Sequence, residues 1–337
     1  MDLKPKKEGL PAIVSLFCGA GGLDLGFKDA GFEIPLAFDS SCAAILSHTK
    51  NFPETHARLA DLTLLRPNGV LECVRKRLTD GQRIGVIGGP PCQGFSRANV
   101  GAKSDDPRNQ LPALYLDIVK ALQTAFSVDF MVFENVLGIR DKKHAETYAA
   151  LVKGISSLGF DVNAQELCAV DFGVPQKRKR IILSATRAGE GFGKVVPQKQ
   201  EGVKTVRHAI SEIPEPKFYS PNLLPSDLPV HPNHWTMRPK SYRFKDPGFQ
   251  EKTGRSFRRL KWDAPSPTIA FGNREIHVHP CGHRRLSIYE AMLLQGFPKT
   301  FVLEGNLSEQ VTQVSNAVPP PLALSLALAV ISALDRR

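Results

Sequence analysis

From residue 12 to about residue 186 the chain alternates short β-rich runs with longer helical stretches, and this pattern constrains its fold more than any other feature. Strands are expected at residues 12–17, 34–38, 84–87, 130–133 and 181–185, with helices at 22–30, 111–125 and 144–158. Strands joined through helices build a parallel sheet covered on both faces, so the fold class is α/β. In open sheets of this kind ligands collect outside the carboxyl ends of the strands, where the chain's most distinctive segments fall. A length of 337 residues allows one large core plus a smaller domain.

The texture changes after residue 186, where eight prolines between positions 197 and 239 interrupt any long periodic element. A second, loop-rich domain is expected there, before helical periodicity returns at 288–294 and again from Pro321. The most apolar stretch, residues 322–334, falls short of the ~20 residues a membrane span needs and reads as a buried helix. Six cysteines without paired spacing, and an opening Met-Asp-Leu-Lys-Pro-Lys-Lys with no apolar leader, point to a reduced, cytoplasmic protein. The formal charge of +11 favours a polyanionic partner. Much of that charge lies in residues 238–261, which hold nine Lys/Arg against two acids. Tyr242, Phe244, Phe249 and Phe257 interleave with them, as a surface meeting phosphates and bases requires.

Three segments carry chemistry. In Gly88-Gly89-Pro90-Pro91-Cys92-Gln93-Gly94-Phe95-Ser96, two prolines fix φ while glycines allow close approach, so Cys92 is presented as a nucleophile on a stiff turn. Phe17-Cys18-Gly19-Ala20-Gly21-Gly22 ends the first strand and opens a helix, bringing backbone close to a nucleotide-like ligand. The dinucleotide pattern G-x-G-x-x-G is broken at Asp24, which argues against a nicotinamide enzyme. Asp39, twenty residues beyond Gly19, is placed to accept hydrogen bonds from ribose hydroxyls. His277, His279, Cys281 and His283 alternate, whereas a tetrahedral ion usually draws ligands from separated pairs. They read as a polar strand facing nucleic acid, and no metal is expected.

Read in order, the turn Ser15 to Leu23, the Cys92 segment, Phe133-Glu134-Asn135-Val136, Gln176-Lys177-Arg178-Lys179-Arg180, Arg285-Leu286-Ser287 through Gln295-Gly296-Phe297-Pro298, and Gln313 to Pro319 resemble the cytosine-C5 DNA methyltransferases. The resemblance covers nearly the whole chain and implies a Rossmann-like, S-adenosylmethionine-dependent methyltransferase sheet with a smaller target-recognition domain. Residues 1–187 and 312–337 are expected to form a discontinuous catalytic domain, and 188–311 the target-recognition domain and return segment. The implied reaction transfers a methyl group to C5 of a cytosine in a specific short double-stranded DNA sequence, releasing S-adenosylhomocysteine.

The catalytic set implied by the resemblance is Cys92 adding to C6, Glu134 at N3, Arg180 at O2, and Arg178. Arg178 and Arg180 are expected to face opposite ways, Arg178 positioning backbone. The implied cofactor set is Phe17, Gly19, Ala20, Gly21, Gly22, Asp39, Asp61, Leu62, Pro91, Leu111 and Asn316, with Ser315 standing where the family usually has glycine. A restriction–modification context is implied, with a cognate endonuclease acting on the same site, a monomeric enzyme and a bacterial cytoplasmic or nucleoid location. The rival reading, a tRNA cytosine-C5 methyltransferase on the same scaffold, would carry a Cys-Phe-Thr tripeptide that this chain lacks. A nucleic-acid-binding protein without catalysis would have lost Cys92 and Glu134, and both are present.

Overall fold

The computed structural model describes residues 9–91, 95, 110–245, 257–269 and 277–335. The first part of the chain runs β1 (Ala12–Leu16), α1 (Gly22–Asp29), β2 (Leu36–Asp39), α2 (Cys42–Asn51), β3 (His56–Leu59), α3 (Leu62–Arg75) and β4 (Arg83–Gly88). It continues through α4 (Leu111–Leu122), β5 (Ser127–Asn135), α5 (Ala145–Ser157), β6 (Phe160–Cys168), β7 (Gln176–Lys177) and β8 (Lys179–Arg187). Among the described residues, seven of these strands form one sheet in the order β3-β2-β1-β4-β5-β8-β6.

The sheet is mixed, which corrects the expectation of a parallel one. Strands β3, β2, β1, β4 and β5 are parallel, but β8 runs antiparallel to both β5 and β6. The cause is connection length: only residues 169–178 separate β6 from β8, too few for the helical crossover that a parallel return needs. The chain turns back instead and inserts β8 between β5 and β6.

Alternate residues of β1 feed opposite layers. Ile13 joins α1 and the C-terminal helix in a core with Phe27, Phe130 and Leu326, while Val14 and Leu16 join Tyr115, Ile118, Phe133 and Ile155 on the other face. Strands covered on both faces bury nearly every side chain, so β1 and β4 read as continuous apolar runs.

Beyond β8 the regular elements are short: α6 (Val206–Ile210), the pair β9 (Lys217–Phe218) and β10 (Trp235–Thr236), and β11 (Ser266–Pro267), which pairs with β7. Helices α7 (Ile288–Leu294), α8 (Leu307–Asn316) and α9 (Pro320–Leu334) complete the chain. The run Leu307–Leu334 is long and apolar enough to span a membrane by composition, yet 72% of its most apolar window is buried against the rest of the protein. The apolar character of α9 is thus used internally, packed on α1.

That packing depends on Gly26. A Cβ there would sit 2.3 Å from the Leu324 backbone nitrogen, in space the α9 backbone occupies. Helix propensity alone makes Gly→Ala stabilising by about 1 kcal/mol, whereas overpacking against backbone costs about 1–3 kcal/mol. Gly26→Ala is expected to lower the unfolding free energy in a urea titration; a raised midpoint would show that α1 and α9 are not in contact.

Candidate active site

Sheet register brings the motif residues to one level. Leu16 pairs with Phe38 and with Gly88, and Gly88 pairs with Phe133, so Phe17, Asp39, Gly89 and Glu134 emerge together at the carboxyl edge. Because β8 runs the other way, its beginning reaches this same edge, with Ile182 opposite Glu134 and Ile181 opposite Asn135. Arg180 therefore arrives beside Glu134, its Nε 2.9 Å from Glu134 Oε1 with both side chains largely buried. The guanidinium N–H is not directed along that oxygen, which accepts no hydrogen bond among the described residues. Arg180 Nη1 instead donates to its neighbour's carbonyl, Lys179 O, at 2.8 Å. The pair is an electrostatic contact whose hydrogen-bonding capacity is not used up internally.

Arg178 goes elsewhere, though not for the expected reason, since residues two apart on a regular strand share a face. It lies between β7 and β8, where its own N–H bends back to Gln176 O at 3.0 Å, and its side chain is only 1% exposed. Arg180 thus reaches the carboxyl edge beside Glu134, while Arg178, one step before β8, is enclosed by the protein.

Cys92, Gln93 and Ser96 lie outside the described residues. The approach to Cys92 is described as far as Pro91, which is exposed, and Asn135 Nδ2 donates to Pro90 O at 3.3 Å. The residue after Glu134 thereby ties the proline turn to the end of β5.

The glycine-rich turn is held at both sides. Phe17 and Gly19 each have φ 55°, and Gly21 has φ 95° as it caps α1. A non-glycine residue in this region stores about 1–3 kcal/mol of strain unless its surroundings fix it. Cys18 N donates to Phe38 O at 2.9 Å and Gly19 N to Asp39 Oδ2 at 2.9 Å, joining the turn to the end of β2. Asp39 Oδ1 accepts from Ser41 N at 2.8 Å; burial pushes this carboxyl above its ordinary range, against the lowering effect of those backbone donors. Each carboxylate oxygen keeps a further lone pair for a ligand hydroxyl.

Asp61 follows the next strand, exposed, with Oδ1 accepting from Thr63 N and Oγ1 at 2.8 and 2.6 Å to cap α3. These bonds hold its carboxyl below the usual range. Leu62 is 3% exposed and packs into the core, as does Leu111 at the start of α4. Ala20 is also buried, whereas Asn316 at the end of α8 is exposed. A Cβ on Gly22 would lie 2.4 Å from Val318 O, so the segment after Asn316 lies directly against the first residue of α1. Exposed or half-buried groups at Phe17, Asp39 and Asp61 thus follow three neighbouring strands, an arrangement that fits an adenosine-containing cofactor.

Sequence reasoning missed a set of buried polar side chains that join these motifs. Gln176 Nε2 donates to Gln295 Oε1 at 2.6 Å, and Gln295 Nε2 donates to Ala317 O at 2.7 Å, linking three motifs across the chain. Ser287 and Glu290 form a reciprocal cap on α7, and Glu290 also takes two 2.9 Å bonds from buried Arg284. The only local signal was the Ser-x-x-Glu spacing before an apolar run.

Two expectations about the second region need correction. His277 and His279 are 1% and 6% exposed, so they do not face nucleic acid; burial pulls both down to about pH 4. His277 Nε2 lies 3.1 Å from Thr268 O, and His283 alone of the three histidines is exposed. Among the interleaved aromatics Tyr242 is 72% exposed, but Phe244 is buried against Phe257 beneath the Arg285 guanidinium. Phe249 lies outside the described residues.

The mixed sheet, with its cofactor-type turn and the Glu134–Arg180 pair at one edge, defines a Rossmann-like S-adenosylmethionine-dependent methyltransferase. A model of the C-5 cytosine-specific DNA methylases matches residues 12–332, and the chain belongs to that family. The Type II methyltransferase M1.HphI of Haemophilus parahaemolyticus is 34% identical, over 94% of this chain and 86% of its own length. M.MthTI of Methanothermobacter thermautotrophicus is 32% identical, over 94% and 95%. A crystal structure of an E. coli prophage-encoded protein, assigned as a DNA modification methyltransferase, superposes with a TM-score of 0.77 at 24% identity, covering 97% of this chain and 100% of that one. The chain is a DNA cytosine-5-methyltransferase of restriction–modification type, with S-adenosylmethionine as methyl donor.

Gln295→Met keeps the side-chain volume but leaves the buried Gln176 amide and the Ala317 carbonyl without their partner. A loss of about 1–3 kcal/mol in unfolding free energy is expected by chemical denaturation. Undiminished stability would mean that the glutamine relay does not join the motifs.

Proposed function

We propose that Cys92 is the nucleophile of this methyltransferase, adding to C6 of a cytosine flipped out of a specific short double-stranded DNA sequence. Cytosine C5 is a weak nucleophile, and thiolate addition at C6 pushes electron density onto it. Glu134 holds a proton or hydrogen bond at N3 as charge develops on the ring, and Arg180 faces O2. S-adenosylmethionine supplies the methyl group; water in the site then takes the C5 proton, and the electron pair left behind reforms the C5–C6 double bond as the C6–S bond breaks and frees Cys92 as the thiolate. The target carbon is inaccessible in a stacked duplex, so the base must leave the helix at a cost of a few kcal/mol.

The observation that carries this reading is the 2.9 Å approach of Arg180 to Glu134. A carboxyl that can carry a proton to N3, beside a guanidinium that can face O2, matches a ring that needs a donor and a cation on that side. The Asn135 bond to Pro90 supports it by tying the turn that leads to Cys92 to the same strand end. Phe17, Asp39, Asp61 and Asn316, with the Gly19–Gly22 backbone, are assigned to the cofactor, and Arg178 to positioning the backbone next to Arg180. Residues 188–311 are assigned to the target-recognition domain and return segment, with 188–283 choosing the DNA sequence: Lys/Arg contacts to phosphate set register and a minority of side chains read base edges. The enzyme is assigned as a cytoplasmic monomer whose cognate restriction endonuclease acts on the same sequence.

Cys92→Ser is expected to abolish methyl transfer while retaining sequence-specific DNA binding in a gel-shift assay. Wild type is expected to form a denaturation-resistant adduct with DNA containing 5-fluorocytosine, because the missing C5 proton blocks elimination. Substantial turnover by Cys92→Ser, or no adduct under turnover conditions, refutes the covalent mechanism. Glu134→Gln is expected to slow transfer about a hundredfold or more with little change in cofactor affinity. Equal damage to cofactor binding would move Glu134 into the cofactor pocket.

A further inference from the structure

Beneath the glycine-rich turn lies a cluster that the reaction does not use directly. Ser15, Asp24 and His48 are each fully buried. Ser15 Oγ donates to Asp24 Oδ1 at 2.7 Å, and His48 Nε2 lies 2.8 Å from Asp24 Oδ2. Ser15 stands two residues before Phe17 on β1, and Asp24 sits in the first turn of α1, so one carboxylate bridges the two ends of the turn. The His48 ring stacks on Phe52 with centroids 4.3 Å apart, and both press on the turn where Gly21 has no side chain. A Cβ at Gly21 would sit 2.4 Å from the Phe52 ring and 3.0 Å from His48 Cδ2. Cys18 Sγ, Asp24 and His48 are also within 4.8 Å of one another, a spacing a metal ion can use. Both Asp24 oxygens already accept hydrogen bonds, however, and burial beside Asp24 and Asp39 pushes the Cys18 thiol well up. The cluster as it stands is a hydrogen-bonded clamp.

We propose that His48 is a positioning residue for the cofactor, holding the Asp24 carboxylate so that the turn from Phe17 to Gly21 keeps its left-handed backbone before the cofactor arrives. This rests on the assignment of that turn to S-adenosylmethionine. The Nε2 hydrogen bond makes Asp24 a fixed bridge between β1 and α1; without it Oδ2 is a buried charge with no donor, and the carboxylate must reorient or admit water. Either change releases Phe17 and Gly19 from the conformation that presents the turn. The same helix α2 is tied to the return segment through Ser47, whose Oγ lies 2.6 Å from Gln313 Oε1, and through Asn51, which donates to Val302 O at 2.7 Å. His48 therefore acts from a helix anchored on its other side.

The test compares His48→Leu, His48→Gln and Asp39→Ala, each checked for folding by circular dichroism and thermal melting. S-adenosylmethionine affinity is measured by calorimetry, and kcat and KM for the cofactor on DNA. His48→Leu is expected to weaken cofactor binding at least tenfold, with the loss in KM rather than kcat. His48→Gln, whose Nε2 can restore the donor to Asp24, is expected to recover affinity to within threefold of wild type, which a purely space-filling role would not produce. If His48→Leu does not fold, Asp24→Asn takes its place with the same expected tenfold loss. Binding within twofold of wild type in whichever of these folds overturns the proposal, as does a His48→Gln no better than His48→Leu. Asp39→Ala separates the two levels: weak binding there with normal binding in His48→Leu removes the clamp alone, while normal binding in both removes the cofactor assignment with it.

Discussion

The candidate site depends on β8 entering the sheet backwards. A sixth parallel strand beside β5 would deliver its carboxyl end to the functional edge and send the Gln-x-Arg-x-Arg segment to the opposite one. With β8 reversed, the beginning of the strand reaches the carboxyl end of β5, and Arg180 lands 2.9 Å from Glu134. Only a ten-residue connection from β6 enforces this, because it is too short to cross over. A short connection at the functional edge itself thus creates the charge arrangement on which the proposed chemistry relies.

Buried amides and carboxylates then hold the rest of the site to that edge. Asn135 fastens the proline turn, Gln176 and Gln295 fasten the closing segment after α8, and Asp24 fastens the glycine-rich turn. Each of these side chains lies in the interior, where an unmet hydrogen bond costs more than a met one contributes. Such groups favour one arrangement over near alternatives, which suits a site that must hold a cofactor and an extruded base in fixed relation.

Much of the fold was legible because both faces of the central strands are buried. Strands β1, β2, β4 and β5 are largely apolar runs that end at the glycine-rich turn, Asp39, Gly88 and Asn135, and α1 closes at Gly31, with φ 100°. Strands β3 and β6 were missed because they lie at the sheet edges, where partly exposed His56-Ala57-Arg58-Leu59 and Asn163-Ala164-Gln165-Glu166 carry no apolar signal. The reversal of β8 was illegible locally, since strand direction depends on the partner strand. Motif residues could be named from order along the chain, but the partners of Gln295, Asn135 and Asp24 lie up to 119 residues away. No periodicity encodes such contacts. His277 and His279 were placed outside because alternation was read without their buried partners, Thr268 O for His277 and the Glu290–Arg284 pair for His279.

The central claim is that Glu134 and Arg180 act on the cytosine as one unit. It is tested most directly by a double-mutant cycle on the single-turnover rate of methyl transfer, using DNA that carries the site mapped by bisulfite sequencing. The account predicts that Glu134→Gln and Arg180→Gln are strongly non-additive, the double variant being no more than about threefold slower than the slower single variant. Losses that multiply, as they do for independent groups, would contradict it.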